Sequence, residues 1–241
     1  MEEIIMTGII RFITAVLFVL LITPASHALT LTYYQGDGKG TVSNTDGREV
    51  LSYGTASASA QLMYSQGSTH RSYVGFFNIF GEGQDQIPEG STITSATLTI
   101  VKVSSDGFSG SGTLYKVTSA WTENTITWGN KPGYSSASGD YRSFTYGYSA
   151  NRIINLNVTS VVQGWADAPS TNYGWMFTAI QSMGSSSAFA SDDYSNSAYR
   201  PKLSVTFTAP EPPEPEPAPV PEPATMVLLG LGVIGLARRR L

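Results

Sequence analysis

Tyrosines and arginines in one turn-rich stretch are the residues of this 241-residue chain best suited to recognise a ligand. Aromatic rings stack on the apolar C–H faces of sugars, and arginine forks pair with carboxylates. We expect the stretch to lie between strands, where side chains are exposed. The residues predicted to bind carbohydrate are Tyr134, Tyr141, Tyr146, Tyr148, Arg142 and Arg152. The alternative for any one tyrosine is a ring packed on a strand face with only its hydroxyl in water.

Two adjacent carboxylates, Asp192 and Asp193, suggest a metal site. We predict that they lie in a loop and bind Ca²⁺ together with backbone carbonyls and Asp37 or Asp46, because Ca²⁺ takes oxygen ligands only. Ca²⁺ is the one candidate cofactor. The alternative is a solvated acidic turn.

Catalytic chemistry has little support in the sequence. The chain has no Cys, which excludes a thiol nucleophile, a disulfide scaffold and cysteine-ligated metals. Removal of a signal peptide would leave His70 as the one histidine, and we expect it to be a solvated turn residue. Carboxylates could cleave a glycoside, but none lies in a recognisable motif. The chain is predicted not to be an enzyme, and a polysaccharide-cleaving enzyme remains the weaker alternative.

Net charge and hydrophobic content indicate a folded protein that does not bind nucleic acid. A net charge of -4 has the wrong sign for phosphate neutralisation, so we expect no nucleic-acid partner. Hydrophobic residues make up 41% of the chain, which is enough for an ordinary core.

Period-two alternation predicts a sandwich of strands that would position these residues. Ala96, Leu98 and Ile100 alternate with polar neighbours, and Leu203, Val205 and Phe207 repeat the pattern. The predicted strands are 29–34, 61–65, 72–79, 93–103, 113–117, 125–128, 153–157, 174–178 and one around 203–207, separated by Ser, Gly, Asn and Pro clusters. The expected fold is all-β: a single jelly-roll-like β-sandwich over 29–208 with one short helix.

The one helical pattern places Val158, Val161, Val162 and Trp165 at i, i+3, i+4 and i+7. Asn157 is the predicted N-cap, and Pro169 is expected to end the helix. We expect its apolar face to close one end of the sandwich. Trp121, Trp128, Trp165 and Trp175 are all expected to be structural.

The N-terminal residues 1–28 resemble a secretory signal peptide. An apolar run follows Arg11, and small residues at Ser26 and Ala28 suit a cleavage site after Ala28. Translation could begin at Met6 instead of Met1, because Glu2 and Glu3 are unusual in this region. A retained membrane helix is the alternative.

The C-terminal end divides into a linker and an apolar segment. Residues 209–219 are rich in Pro and Glu and should form a stiff polyproline spacer. Residues 225–237 are apolar but shorter as a helix than a membrane span, and Arg238, Arg239 and Arg240 follow them. We therefore expect only transient membrane contact through this short helix, with a single-pass tail anchor as the alternative.

Residues 220–241 resemble the PEP-CTERM sorting segment of Gram-negative bacteria that build extracellular polysaccharide. The resemblance is carried by Pro221, Glu222 and Pro223, the apolar segment and the arginine cluster. It implies that an exosortase cuts near the Pro-Glu-Pro motif and sorts the protein to the cell surface or the extracellular matrix.

The middle of the chain resembles the DNRLRE domain. The motifs that carry the resemblance are in 71–79, 87–98, 115–117, 121–132, 158–165, 172–177 and 199–205, the most specific being the double-Trp signature from Trp121 to Trp128. The resemblance implies a β-sandwich of secreted and surface proteins, among them carbohydrate-binding modules of polysaccharide lyases. Asn78 stands where the family usually has Asp.

Together these features predict an exported, exosortase-sorted surface or matrix protein with a non-catalytic carbohydrate-binding or adhesive module. The expected partners are an extracellular polysaccharide and, during export, signal peptidase and an exosortase. The alternative is a structural biofilm-matrix protein that binds other proteins or itself.

Overall fold

Strands dominate the computed structural model of the protein, which describes residues 27–36, 45–52, 54–55, 60–65, 69–104, 109–181 and 187–211. The strands of this described part are β1 Ala28–Tyr34, β2 Thr45–Leu51, β3 Gly54–Thr55, β4 Leu62–Ser65, β5 His70–Phe76, β6 Thr92–Lys102, β7 Gly110–Val117, β8 Tyr134–Ser135, β9 Tyr141–Tyr146, β10 Arg152–Asn157, β11 Trp175–Gln181, β12 Ser187–Ala190 and β13 Lys202–Thr208. The helix α1 is Thr159–Asp167, and 3₁₀ turns cover Pro169–Thr171 and Ser197–Tyr199.

The strands form two antiparallel sheets. The first sheet has the order β1-β13-β6-β12-β4, with β10 also paired to β6. The second has the order β3-β2-β5-β11-β7-β8, with β9 also paired to β7. From β4 to β7 each successive strand lies in the opposite sheet, so the connections cross between the layers. The predicted all-β sandwich with a single short helix is confirmed.

The main core lies between the sheets because alternate residues of each strand point inward. Its members from the two layers are Ala96, Leu98, Ile100, Phe189, Leu203, Val205 and Phe207 on one side and Val74, Phe76, Leu114, Phe144, Trp175 and Phe177 on the other. At about 25 cal/mol per Å² of apolar area removed from water, this burial is the main source of stability in a chain without disulfides.

A second, smaller core covers part of the outer side of the second sheet. Tyr73, Val117 and Met176 point away from the main core and are covered by Trp121 and Ile126. The covering residues belong to the segment 118–133, which connects β7 to β8. Trp121 Nε1 donates to Tyr173 O at 2.8 Å and its ring lies 5.4 Å from that of Tyr73. Part of the outer face of the second sheet is therefore apolar and covered by the segment 118–133.

The helix α1 packs on the main core as predicted. Val161, Val162 and Trp165 are buried, and Val158 N donates to Ala96 O at 2.9 Å. The predicted N-cap is wrong by one position, since Val158 occupies the cap and the Asn157 side chain instead accepts from Thr159 N at 3.1 Å. Trp121, Trp165 and Trp175 are buried, whereas Trp128 is only half-buried.

Two predictions about the strands are wrong. The segment 125–128 is not a strand, because its backbone groups bond locally: Ile126 N donates to Thr122 O at 3.0 Å, and Asn130 Oδ1 accepts from Thr127 N. The tyrosine-rich stretch expected to lie between strands instead contains β8 and β9.

The two ends of the chain lie largely outside the described residues. The signal peptide up to residue 26 and the linker and sorting segment from 212 onward are not described. Asp37, a predicted calcium ligand, is also outside the described residues. Within the described residues, no helix is long and apolar enough to cross a membrane. By contact the chain divides into the units Met1–Pro210 and Glu211–Leu241.

Candidate functional site

Three tyrosines from three strands lie together on the outer face of the second sheet. Tyr115 of β7 pairs directly with Tyr141 of β9, and Tyr134 of β8 pairs with the neighbouring Val117. Since side chains alternate along a strand, Leu114 and Phe144 point to the main core while these tyrosines point outward. We call Tyr115, Tyr134 and Tyr141 the tyrosine cluster.

The rings of the tyrosine cluster are close and accessible. The Tyr115 ring lies 4.7 Å from that of Tyr134 and 6.2 Å from that of Tyr141, measured between centroids. Tyr134 is 47% exposed and Tyr141 43% exposed, while Tyr115 is half-buried beneath them. Because Tyr115 also packs on the second core, the cluster has a rigid base with two exposed rings.

Side chains with hydroxyl groups lie next to the tyrosine cluster on the same face of the sheet. Thr113 pairs with Ser143 on one side and with Thr178 on the other, two residues along from the tyrosines. Ser143 is exposed, and the two threonines are half-buried. The face therefore combines aromatic rings with hydrogen-bonding groups, which is the composition expected where sugars are bound.

Two cations lie on the ring of Trp128. Lys131 Nζ lies 4.0 Å from the centroid of the Trp128 ring and donates to Trp128 O at 2.8 Å. The guanidinium carbon of Arg71 lies 5.6 Å from the same ring. Trp128 packs on the second core, as Tyr115 does. The second core therefore carries a cation-bearing aromatic ring, Trp128, as well as the base of the tyrosine cluster.

The predicted carbohydrate-binding residues do not all join this face. Tyr146 is only 5% exposed, and its ring packs edge-on against Phe189 at 5.8 Å. Its hydroxyl bonds with Ser187 Oγ at 3.0 Å. The expected exposure of Tyr146 is therefore wrong, because it is on the inward-facing side of β9.

Arg142 is used inside the protein. Its Nε donates to Asn157 O at 2.7 Å, Nη1 donates to Gly139 O and Tyr141 O, and Nη2 bonds with Ser160 Oγ at 3.0 Å. Most of its N–H groups are thereby occupied, so the guanidinium connects β9 to the start of α1 and is not open to a carboxylate of a sugar.

Tyr148 and Arg152 lie at the other end of β9. Tyr148 is 65% exposed in the turn after that strand, and Arg152 is the exposed first residue of β10. A rise of about 3.4 Å per residue separates the two ends of β9 by about 17 Å. Of the predicted tyrosines, Tyr134 and Tyr141 lie together, and Tyr148 is separate from them.

His70 is not the solvated turn residue that the sequence suggested. It is buried in β5, where its Nδ1 lies 2.8 Å from Thr69 Oγ1. Burial lowers the pKa of the imidazole, because the charged form is disfavoured away from water. Burial likewise raises the pKa of the Tyr73 phenol under the second core.

A third carboxylate joins the pair predicted to bind calcium. Oxygens of Glu123, Asp192 and Asp193 lie within 4.8 Å of one another, with Asp192 buried and Asp193 exposed. Three negative charges this close repel one another, and a divalent cation would offset that repulsion. Ca²⁺ binding at this position stays a prediction.

Sequence reasoning missed Tyr115, Trp128, Lys131, Arg71 and Glu123. The alternation of Thr113, Tyr115 and Val117 around Leu114 was a usable signal, since it places Tyr115 away from the main core. Trp128 and Glu123 gave no such signal, because they lie in a segment with local turns.

Comparison with known proteins identifies both parts of the chain. The model of carbohydrate-binding module family 96 matches residues 45–207, and that of the PEP-CTERM protein-sorting motif matches residues 219–240. The sorting motif indicates export and surface sorting in a Gram-negative bacterium. No curated protein matches the chain.

Among solved structures, a chain of Israeli acute paralysis virus (full particle heated to 63 degrees) matches at 10% identity. The match covers 82% of this chain and 74% of that chain with a TM-score of 0.18, which is too low to support any argument.

The match to family 96 includes the tyrosine cluster and most of both sheets. It confirms the carbohydrate-binding part of the expected resemblance, while the DNRLRE name stays a prediction. Since it extends over more than half of the sequence, the chain belongs to carbohydrate-binding module family 96.

Proposed function

We propose that the protein binds an extracellular polysaccharide through the tyrosine cluster and acts as a non-catalytic, adhesive module of an exosortase-sorted surface protein. The observation that carries the proposal is the pair of exposed rings, Tyr134 and Tyr141, supported by the half-buried Tyr115. Sugar rings present C–H faces to such a surface, and the hydroxyls of Thr113 and Ser143 meet their polar edges.

The open shape of the face supports a polymer as the ligand. The two outer rings of the cluster are exposed on the sheet surface, so they can contact a ring within a long chain. Arg71 and Lys131 lie on Trp128, which packs on the same second core as Tyr115, and their charge favours polysaccharides that carry carboxylates. The family description as a carbohydrate-binding module supports the non-catalytic role.

Affinity electrophoresis tests this proposal. The full-length protein and its Tyr134→Ala and Tyr141→Ala variants are run in gels containing neutral or uronic-acid polysaccharides. We expect retardation by a subset of the polysaccharides, and about tenfold weaker binding for each ring removed, since a ring contact contributes roughly 0.5–1.5 kcal/mol beyond its buried area.

Tyr148→Ala is the matched control, because Tyr148 is more exposed than either cluster ring and lies at the other end of β9. Loss of retardation in Tyr148→Ala alone would place the binding site there and contradict the proposal. No retardation by any polysaccharide would favour the alternative, a structural matrix protein that binds proteins or itself. Parallel gels with Ca²⁺ or a chelator test whether binding depends on the predicted ion.

A further inference from the structure

A pocket at one end of the sandwich, apart from the tyrosine cluster, has the composition of a second sugar site. It has a cavity volume of about 330 Å³ and opens to solvent. It lies between the loop after β5 and the 3₁₀ turn after α1. Its lining residues are Phe77, Asn78, Phe80, Pro169, Ser170 and Asn172.

The walls of the pocket are held in place by the protein. Phe80 is buried, and the Phe77 ring packs edge-on against Trp121 at 5.7 Å. On the opposite side, Asn172 Nδ2 donates to Phe76 O at 2.7 Å. The loop that carries Asn78 is fixed by Gln86, whose Nε2 donates to Asn78 O at 2.8 Å. A ligand would therefore meet a formed site.

The rim of the pocket carries polar groups that are open to a ligand. Among the described residues, neither the Asn78 carboxamide nor the Ser170 hydroxyl makes a hydrogen bond, whereas the Asn172 side chain is occupied. Asn78 also has a φ of 54°, a left-handed conformation that is unfavourable for most residues.

Size and charge together define the occupant. Cavities that hold small molecules run from about 300 to 1,000 Å³, so this pocket suits one small ring and not several. Phe77, Phe80 and Pro169 can meet the C–H face of a sugar, and the amide and hydroxyl at the rim match its hydroxyls. The lining contains no charged residue, which disfavours a carboxylate.

We propose that this pocket binds the neutral terminal sugar of a polysaccharide chain, as a second subsite separate from the tyrosine cluster. The proposal rests on the proposed function in that the ligand is a carbohydrate. It adds a preference for chain ends, because the pocket holds one ring, whereas the tyrosine cluster lies on an open face.

NMR titration of the full-length, isotope-labelled protein tests the proposal. The probes are the methyl glycosides of glucose, galactose, mannose and N-acetylglucosamine, with galacturonic acid as the charged probe. We expect at least one neutral glycoside to shift the side-chain amide signal of Asn78 with a Kd near 1 mM, and galacturonic acid to leave it unchanged. Absence of any such shift with every neutral probe overturns the proposal.

The Asn78→Gly variant isolates the carboxamide, because glycine adopts a positive φ without strain. We expect the glycoside to bind at least fivefold more weakly, as followed on the backbone amides around the pocket. Asn151→Gly is the matched control: Asn151 is also an exposed asparagine with a positive φ, of 58°, and it lies in the turn before β10. Equal glycoside binding by Asn78→Gly and the wild type overturns the proposal.

The two proposals fail separately. Tyr134→Ala and Tyr141→Ala should leave glycoside binding at the pocket unchanged. Asn78→Gly should leave the retardation of the protein in gels with long polysaccharides unchanged, because such chains have few ends. If polysaccharides are retarded through the tyrosines but no neutral glycoside reaches Asn78, the proposed function stands and this inference falls.

Discussion

Arg71 and Lys131 give the tyrosine cluster a chemistry that the pocket lacks. Both cations lie against the ring of Trp128, which packs on the same second core as Tyr115. The polar groups that line the pocket are uncharged amides and a hydroxyl. If both proposals hold, one region of the module binds acidic residues within a polysaccharide and the other binds its neutral terminal sugar.

His70 makes the stability of the protein depend on pH. Its pKa is lowered in the folded state, so the unfolded chain takes up the proton first as the pH falls below about 6.5. The contribution of His70 to the free energy of unfolding should therefore be constant above that pH and decrease below it, by up to about 1.4 kcal/mol for each unit of difference between the two pKa values. Denaturant unfolding at pH 7.5 and 5.5 measures this change. The same decrease in the His70→Gln variant would show that another group is responsible.

Both the backbone conformation and the close packing at position 174 require a glycine. Its φ is +72°, and an added Cβ would lie 2.5 Å from Val74 O. We expect Gly174→Ala to lower the free energy of unfolding by about 1–3 kcal/mol. Gly164→Ala in α1 is the control, because nothing lies within 4 Å of its added Cβ, and it should raise stability by about 0.5–1 kcal/mol. Thermal melts of the two variants should shift in opposite directions.

The alternation of apolar residues identified some elements and not others. In β6 and β13 the buried face is Leu, Ile, Val and Phe, and both strands were predicted within a few residues. In β9 the pattern Tyr-Arg-Ser-Phe-Thr-Tyr also alternates, with Phe144 and Tyr146 inward, but the surrounding Ser and Gly residues resembled a loop. The segment 125–128 has apolar residues that pack on the second core, and periodicity cannot separate such a covering segment from a strand.

The candidate site was only partly predictable for the same reason. Tyr134 and Tyr141 were identified by residue type, but their meeting on Tyr115 depends on the pairing of β7 with β8 and β9. The occupation of Arg142 by backbone carbonyls depends on where α1 begins relative to β9. Neither the meeting of the tyrosines nor the hydrogen bonds of Arg142 can be predicted from the spacing of residues within one segment.

Arg142 connects β9 with the start of α1, which predicts a structural role. Arg142→Lys removes the forked geometry that reaches Asn157 O and Ser160 together, and should lower the free energy of unfolding by about 1–2 kcal/mol. Polysaccharide affinity below the melting temperature should not change. Arg152→Lys, at an exposed arginine, should leave stability unchanged. A loss of affinity in Arg142→Lys without a loss of stability would restore its predicted role in binding sugar.

At the scale of the whole molecule, a polysaccharide-binding module precedes a sorting motif. The family model of the module ends at residue 207 and that of the sorting motif begins at 219, so the proline-rich residues between them belong to neither. A protein sorted to the surface would thereby present its module to the polysaccharide around the cell.

The sorting motif provides its own internal control. The tripeptide Pro-Glu-Pro occurs at 221–223 within the matched segment and also outside it, at 210–212, 213–215 and 215–217. Replacing Pro221, Glu222 and Pro223 by alanine should block processing, so the protein remains larger on an immunoblot and is protected from protease added to intact cells. The same replacement at 215–217 should have no effect. Normal processing of the first variant would contradict exosortase recognition of this motif.

The position of β13 determines how the module would respond to mechanical force. β13 ends at Thr208, three residues before Glu211, and it is paired along its length with β1 on one side and β6 on the other. Hydrogen bonds of antiparallel strands lie across the strand direction. A pull on Thr208 along β13 therefore loads both ladders together in shear and does not open them one bond at a time. If the module holds a cell to a polymer, as proposed, the load would fall on both ladders of β13 at once.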